Sequence, residues 1–316
     1  MEELLERRSL LVGLAVGAAA VLLLVLSGEE QALVIGVIAG ASYGLLALGL
    51  VLVYKSSGVF NFAQGEFGTV AVYVLWLATT NDVPYLAAIV IALFAAALFG
   101  VVTERVVIRP LARSSRVTLL VATAAIAFVA VAVEFWVGEA IVRQVDPALQ
   151  RLDRVSVLGV FVSDQRLLIF AAIVVIAVGL GYFFNRTNLG LAVLAASQEP
   201  TATNLVGISV SRVSLLVWTL SAVLGGIAGI LNGPLSGFSP GFMTFGFLVP
   251  AFTAAVIGGF SSLPGAFLGG VIVGVTQSVA TSAAIFNDIP GPQTASIFFL
   301  LVLILLVRPE GLLSPR

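Results

Sequence analysis

The chain of 316 residues is 60% hydrophobic and 10% charged, with a mean hydropathy of +1.15. A soluble domain is typically about 25% charged, so a soluble fold is excluded and an integral membrane protein is indicated. The formal net charge of −1 argues against a nucleic-acid partner, and the lack of cysteine and histidine removes disulfides, thiol catalysis, thiolate or imidazole metal sites and histidine proton relays.

About 20 apolar residues cross a bilayer as an α-helix. On that measure the sequence offers about ten candidate spans, near residues 9–26, 32–54, 59–79, 85–103, 117–137, 167–184, 213–231, 245–260, 265–286 and 295–307. The third and eighth are the candidates for broken or re-entrant segments. The expected fold class is therefore an all-α polytopic membrane protein of about eight to ten transmembrane helices, forming a single transmembrane domain over residues 1–316. The first span offers no small-residue cleavage site at Leu26-Ser27-Gly28 and is expected to be retained.

Basic residues in short loops set orientation. With both termini cytoplasmic, Arg7, Arg8, Lys55, Arg105, Arg109, Arg113, Arg116, Arg186, Arg212, Arg308 and Arg316 all fall inside, while Glu29, Glu30, Asp82 and Asp288 fall outside. The longer loop 138–166 mixes both signs.

Three spans carry glycines at four-residue spacing: Gly36, Gly40 and Gly44; Gly225, Gly229 and Gly233; and Gly265 and Gly269, with Gly270 and Gly274 beside them. Such faces let helix backbones approach closely. Ser57-Gly58-Val59-Phe60 and Ser236-Gly237-Phe238 each follow a glycine-rich helix, a faint internal echo.

Between the second and third spans lies Asn61-Phe62-Ala63-Gln64-Gly65-Glu66-Phe67. An acidic side chain at the centre of a membrane helix costs roughly 2.5–3.5 kcal/mol. Polar groups in so apolar a setting line a cavity, find a partner or sit near an interface, and Asn61, Gln64, Gly65 and Glu66 are the candidate wall of a transmembrane path. Glu134, near the outer end of its span and followed four residues later by Gly138, is expected at the interface.

Two loops carry local structure. The β-branched run 155–162 around Gly159 predicts a small external hairpin. In the cytoplasmic loop 185–211, Asn188 is expected to cap a short helix from Leu189 to Ser197, Pro200 to begin a second, and Gly207 to end it. Leu191, Leu194 and Ala195 fall on one face at helical spacing, as do Ala202 and Leu205. The pair is either an interfacial helix or a docking knob for a cytoplasmic protein.

The chain has no Gly-x-x-x-x-Gly-Lys-Ser/Thr loop and so no P-loop for ATP, and no metal-ligand or triad pattern. It is not expected to be an enzyme.

Tyr43-Gly44-Leu45-Leu46-Ala47-Leu48-Gly49, then Val53-Tyr54 and Asn61-Phe62-Ala63-Gln64-Gly65-Glu66, resembles the permease subunits of branched-chain amino acid ABC transporters, particularly the first of the two paired permeases. Glu104-Arg105 with Arg109-Pro110-Leu111 is similar to a family loop. Gly190, Ala192, Ala195, Glu199-Pro200, Ala202 and Gly207-Ile208 resemble the loop that couples to the ATPase. The runs 254–259 and 264–270, and Arg308-Pro309-Glu310-Gly311-Leu312, continue the match. Gln64 stands where the family usually has His, and Leu191 and Leu194 stand where it often has Arg.

The resemblance implies a permease half in the cell membrane. It would pair with a second permease (a related chain or a copy of itself), two cytoplasmic ATPases and an external solute-binding protein. ATP and Mg would be bound by the ATPases and no cofactor by this chain. Branched-chain or similar amino acids would move inward by alternating access. Gly190, Leu191, Leu194, Ala195, Glu199, Ala202 and Gly207 would form the coupling loop. The rival expectation is a stand-alone channel or secondary carrier for a small polar solute such as urea or a short amide.

Overall fold

The computed structural model describes residues 30–147, 155–157, 159–260, 262–282, 290–308 and 311–312. The predicted span 9–26, Arg7, Arg8, Asp288 and Arg316 lie outside the described residues. In chain order the elements are α1 (Glu30–Ser57), α2 (Gln64–Thr80), α3 (Tyr85–Val102), α4 (Arg116–Gly138), β1 (Val155–Val157), β2 (Val160–Val162), α5 (Asp164–Arg186), α6 (Asn188–Gln198), α7 (Pro200–Leu205), α8 (Val210–Ser236), α9 (Val249–Gly258), α10 (Leu263–Ser282) and α11 (Pro292–Val307). π-helical turns extend α3 through Thr103–Ile108 and lead into α9 through Thr244–Leu248. Among the described residues six helices are long and apolar enough to cross a membrane: α1, α3 with its extension, α4, α5, α8 and α10. The chain is an all-α polytopic membrane protein whose described sheet is the antiparallel β1–β2 hairpin, with Val157 opposite Val160.

The third and eighth predicted spans are the interrupted ones. The hydroxyls of Ser56 and Ser57 both turn back to the Val53 carbonyl, at 3.0 and 2.8 Å, and compete with the helix ladder there. Gly58 then takes φ +66°, a region costly for residues with a Cβ, and α1 ends. The chain runs without regular helix to Gln64. A matching break follows α8, where Gly237 and Gly241 adopt φ +72° and +73° around Pro240. The two breaks meet: a Cβ on Gly65, in the first turn of α2, would strike Thr244 at the start of the π-helical turn.

α1 is the axis of the bundle. Its most apolar stretch is 78% buried, whereas that of α5 is 17% buried. The closest neighbour of α1 is α10, and glycine makes that contact. A Cβ on Gly36 would lie 2.7 Å from Val275 Cα, and one on Gly40 would lie 2.6 Å from Gly270 O. Gly44 faces Phe267, and from the opposite side Gly270 abuts Gly44 while Gly274 abuts Gly40. The other two glycine rows sit at other seams. Gly225, Gly229 and Gly233 of α8 lie against Gln64 and Phe67, Gly68, and Val72 of α2, while Gly265 and Gly269 of α10 lie against Gly258 and Ala254 of α9. Where two apolar surfaces face each other in lipid there is no hydrophobic drive to join them, so close backbone approach supplies dispersion contacts instead.

Polar side chains fasten the ends. Arg109 grips the buried carboxylate of Glu104 with Nε and Nη2 at 3.1 and 2.9 Å, and its Nη2 also donates to Ser211 O at 3.2 Å. That fork ties the end of the α3 π-turn to the start of α8. After α11, Leu312 N donates to Ile257 O at 2.7 Å and Gly311 packs on Gly259, so these two residues close onto the end of α9.

Gly40→Ala should lower the melting temperature of the detergent-purified protein, because the new methyl meets backbone that cannot rotate away; overpacking of this kind costs about 1–3 kcal/mol. Gly179→Ala on α5, where a Cβ meets nothing within 4 Å, should be neutral or stabilising by up to about 1 kcal/mol. Equal melting temperatures for the two variants would contradict the packing described.

Candidate functional site: a braced helix break, a buried acidic pair and two cavities

The polar phrase before and inside α2 is closed off from solvent. Asn61, Gln64 and Glu66 are all 0% exposed. Asn61 Oδ1 accepts from Ala63 N at 3.0 Å, which holds the turn into α2, and Asn61 Nδ2 lies 3.3 Å from Gln64 Oε1. Gln64 Nε2 donates to Ser221 O at 3.0 Å on α8, and Ser221 Oγ lies 2.6 Å from Gln64 Oε1 and 2.9 Å from Gly49 O on α1. One amide and one hydroxyl thus join α1, α2 and α8. Gly49 and Gly225 leave the room, since a Cβ on either would press on the Gln64 side chain. These residues brace the break, and none of them borders the two cavities described below. Ser221 was not singled out from the sequence; its signal is a hydroxyl four residues before Gly225 on the same glycine face.

Glu66 faces Glu134, Thr69 and Thr244. Glu134 was expected at the interface and is instead buried, 4% exposed, with Gly241 N donating to its Oε2 at 2.8 Å. The correction has a physical cause. Gly237 and Gly241 turn the post-α8 break back over α4, which covers the carboxylate and supplies it with a backbone donor. Met243 N donates to Thr69 Oγ1 at 3.1 Å in the same stretch. Among the described residues no group of three or more acidic, cysteine or histidine side chains is placed to hold a metal ion.

Two cavities lie toward opposite ends of α1. The first, about 520 Å³, is flanked by α1, α10 and the start of α11. Gln31, Tyr43, Gln277, Ser278, Thr281 and Gln293 give it a neutral polar lining, and Tyr43 Oη donates to Gln277 Oε1 at 2.6 Å. The second, about 540 Å³, lies between the end of α1 and the α6–α7 segment, and its lining includes Lys55, Arg116, Ser57, Ser197 and Gln198. Aromatic rings border both: Tyr43, in the wall of the first, is edge-on to Phe247, while Tyr54 and Phe260, in the wall of the second, cluster with Phe60 and Phe252 at centroid separations of 4.7–5.7 Å. Sequence reasoning missed Tyr43 and Gln277 as a pair because their contact joins residues 234 positions apart. The four-residue row Gln31, Ile35, Ala39, Tyr43 was the available signal.

The α6–α7 segment forms where the sequence placed it. The cap is Thr187, not Asn188: Thr187 is extended and its Oγ1 accepts from Gly190 N at 3.0 Å, so the helix starts one residue early. Gly190 packs on the backbone of Phe183 and Phe184, which folds α6 sharply back on α5. Pro200 opens α7. Gly207 at φ +86° closes it, with Ile208 N to Thr203 O at 3.1 Å and Gly207 N to Asn204 O at 3.0 Å, the bond pair of a Schellman end. Gly190, Val193 and Ala196 are buried against the bundle, and Leu194 packs half-buried on the core. The outward apolar set is Leu189, Leu191, Leu205 and Val206, at 59, 51, 84 and 75% exposure. Ala195, Glu199, Ala202 and Gly207 are exposed as well.

Comparison with known proteins places this architecture. Residues 32–307 match the family model described as branched-chain amino acid transport system / permease component. The chain is 35% identical over 306 residues to the high-affinity branched-chain amino acid transport system permease protein BraD of Pseudomonas aeruginosa, covering 90% of this chain and 95% of that one. It is 29% identical to the corresponding permease protein LivH of Escherichia coli, covering 88% and 93%. With the family model covering nearly the whole chain, this protein belongs to the branched-chain amino acid transport permease family.

Proposed function

We propose that this chain, as one transmembrane permease domain over residues 1–316, is the membrane-spanning half of an ATP-driven importer for branched-chain or similar amino acids. It sits in the cell membrane with both termini cytoplasmic and pairs with a second permease, related or identical. Two cytoplasmic ATPases bind ATP and Mg, and an external protein delivers the solute. Alternating access then carries the solute inward.

The observation that carries this reading is the α6–α7 segment. Short helices in water are marginal on their own, yet here each is capped and backed onto the bundle while Leu189, Leu191, Leu205 and Val206 point away from it. A rigid apolar knob outside the spanning helices is what a motor subunit can push. A stand-alone channel or secondary carrier has no use for one. The polar cavity beside Tyr43 and Gln277 and the basic cavity beside Lys55 and Arg116 suit the two ends of a solute route. The aromatic rings that border both suit its closure. Asn61, Gln64, Gly65 and Glu66 serve that route by bracing the break beside it.

Docking is tested by charge placed on the knob. A fully buried Leu contributes about 1.5–3 kcal/mol; Leu191 is half exposed, so covering the rest contributes about 1 kcal/mol, a factor of about five in affinity. Leu191→Asp adds an unpaired buried charge and should weaken ATPase binding further. The expected variant inserts and melts like the parent but fails to retain the ATPase in co-purification. Leu194→Asp, by contrast, should lower the melting temperature, because Leu194 packs on the protein's own core. Full ATPase retention and undiminished uptake by Leu191→Asp and Leu205→Asp would remove the docking role.

A further inference from the structure

The acidic pair is the least balanced feature in the described bundle. Glu134, Thr244 and Thr69 flank the Glu66 carboxyl. Both oxygens of Glu66, Oε1 of Glu134, Thr244 Oγ1 and Tyr73 Oη are buried without a hydrogen-bond partner. Tyr73 follows Glu66 by about two turns on the same side of α2 and is 4% exposed. These atoms come from α2, α4 and the break before α9, so the oxygen-lined spot lies where three elements converge.

Positive charge around it is accounted for. Glu134 Oε2 takes one backbone N–H from Gly241, and Glu66 sits in the first turn of α2, where the helix end is worth roughly half a positive charge. Together these offset only part of two negative charges. Arg143 reaches only the surroundings of Tyr73. Its guanidinium is occupied by Gly138 O, at 3.2 and 3.1 Å, and lies 4.6 Å above the Trp76 ring. A second buried negative charge left without a partner is strongly unfavourable.

We infer that Glu66 and Glu134 form a binding site for one positive charge, either a proton shared between the two carboxyls or a monovalent cation held by the carboxylates with Thr244 Oγ1. The site fastens α2 and α4 to the break that follows α8. It stands independently of the transport reading, since it concerns how the two interrupted segments are held together. Both sources offer the same chemistry, a hard positive centre for oxygen donors. Glu66→Gln supplies a neutral amide that can donate to Glu134 and leaves one carboxylate with Gly241 N, so the variant needs no added charge.

The test is thermal unfolding of the full chain purified in detergent. One arm raises pH from mildly acid to mildly alkaline at constant sodium; the other replaces sodium by choline at constant ionic strength and alkaline pH. The groups facing the pair are Tyr73 and, beyond it, Arg143, and neither changes charge over that pH range at its ordinary value. If the occupant is a proton, the melting temperature of the parent falls with rising pH by about 2–4 °C or more and ignores sodium. If it is a cation, the fall comes on sodium removal. In both cases Glu66→Gln and Glu134→Gln flatten the response. A parent insensitive to both arms overturns the site. So does a response that survives unchanged in both glutamine variants, or the failure of both variants to yield folded protein.

Discussion

Close backbone contact between α1 and α10 is the constraint on which the rest of the bundle depends. In a hydrocarbon solvent apolar side chains gain nothing by leaving lipid for one another, so helices hold together through shape and through the few polar bonds between them. Gly36, Gly40 and Gly44 meet Gly270 and Gly274 with no room for a single methyl. That fit fixes α1 at the centre. α10 carries the same logic outward through Gly265 and Gly269 to α9, and α8 does so to α2 through Gly225, Gly229 and Gly233.

With α1 fixed, the two helix breaks can be irregular without being loose. Backbone freed from a helix at membrane depth must find partners in protein. Asn61 and Thr123 supply them at the first break, on Ala63 N and on Phe62 N and Phe60 O; Thr69, Glu134 and the Arg143–Phe238 bridge supply them at the second. Phe60 of the first break meets Phe252, and Phe242 of the second meets Phe247, so both breaks join the aromatic cluster that borders the two cavities.

Much of this was legible in the sequence, for reasons of periodicity. Apolar length gave the spans, and four-residue glycine spacing gave the seams. The capped pair α6–α7 followed from Pro200 and Gly207. Long-range geometry was not legible. Glu134 lies 68 positions from Glu66, and no local pattern says that a glycine-turned segment more than a hundred residues later will cover it. Leu194 shared a helical face with Leu191 at the level of spacing, yet α6 is rotated so that Leu194 faces the core and Leu191 faces out. Asn61 and Gln64 read as cavity lining because polar residues in an apolar span demand partners. The sequence could not say that Ser221 and the Ala63 backbone, rather than solvent, are those partners.

On the proposed reading the chain is a path that opens only when a motor acts on it. The direct measurement is uptake of isotopically labelled leucine into proteoliposomes. The purified chain would be reconstituted alone, and then with its companion permease, an ATPase of the same system and the external binding protein. Accumulation against a gradient should require the full assembly and ATP, and the chain alone should be impermeable to leucine. Equilibration of leucine through the chain alone, unaffected by ATP or the ATPase, would contradict it.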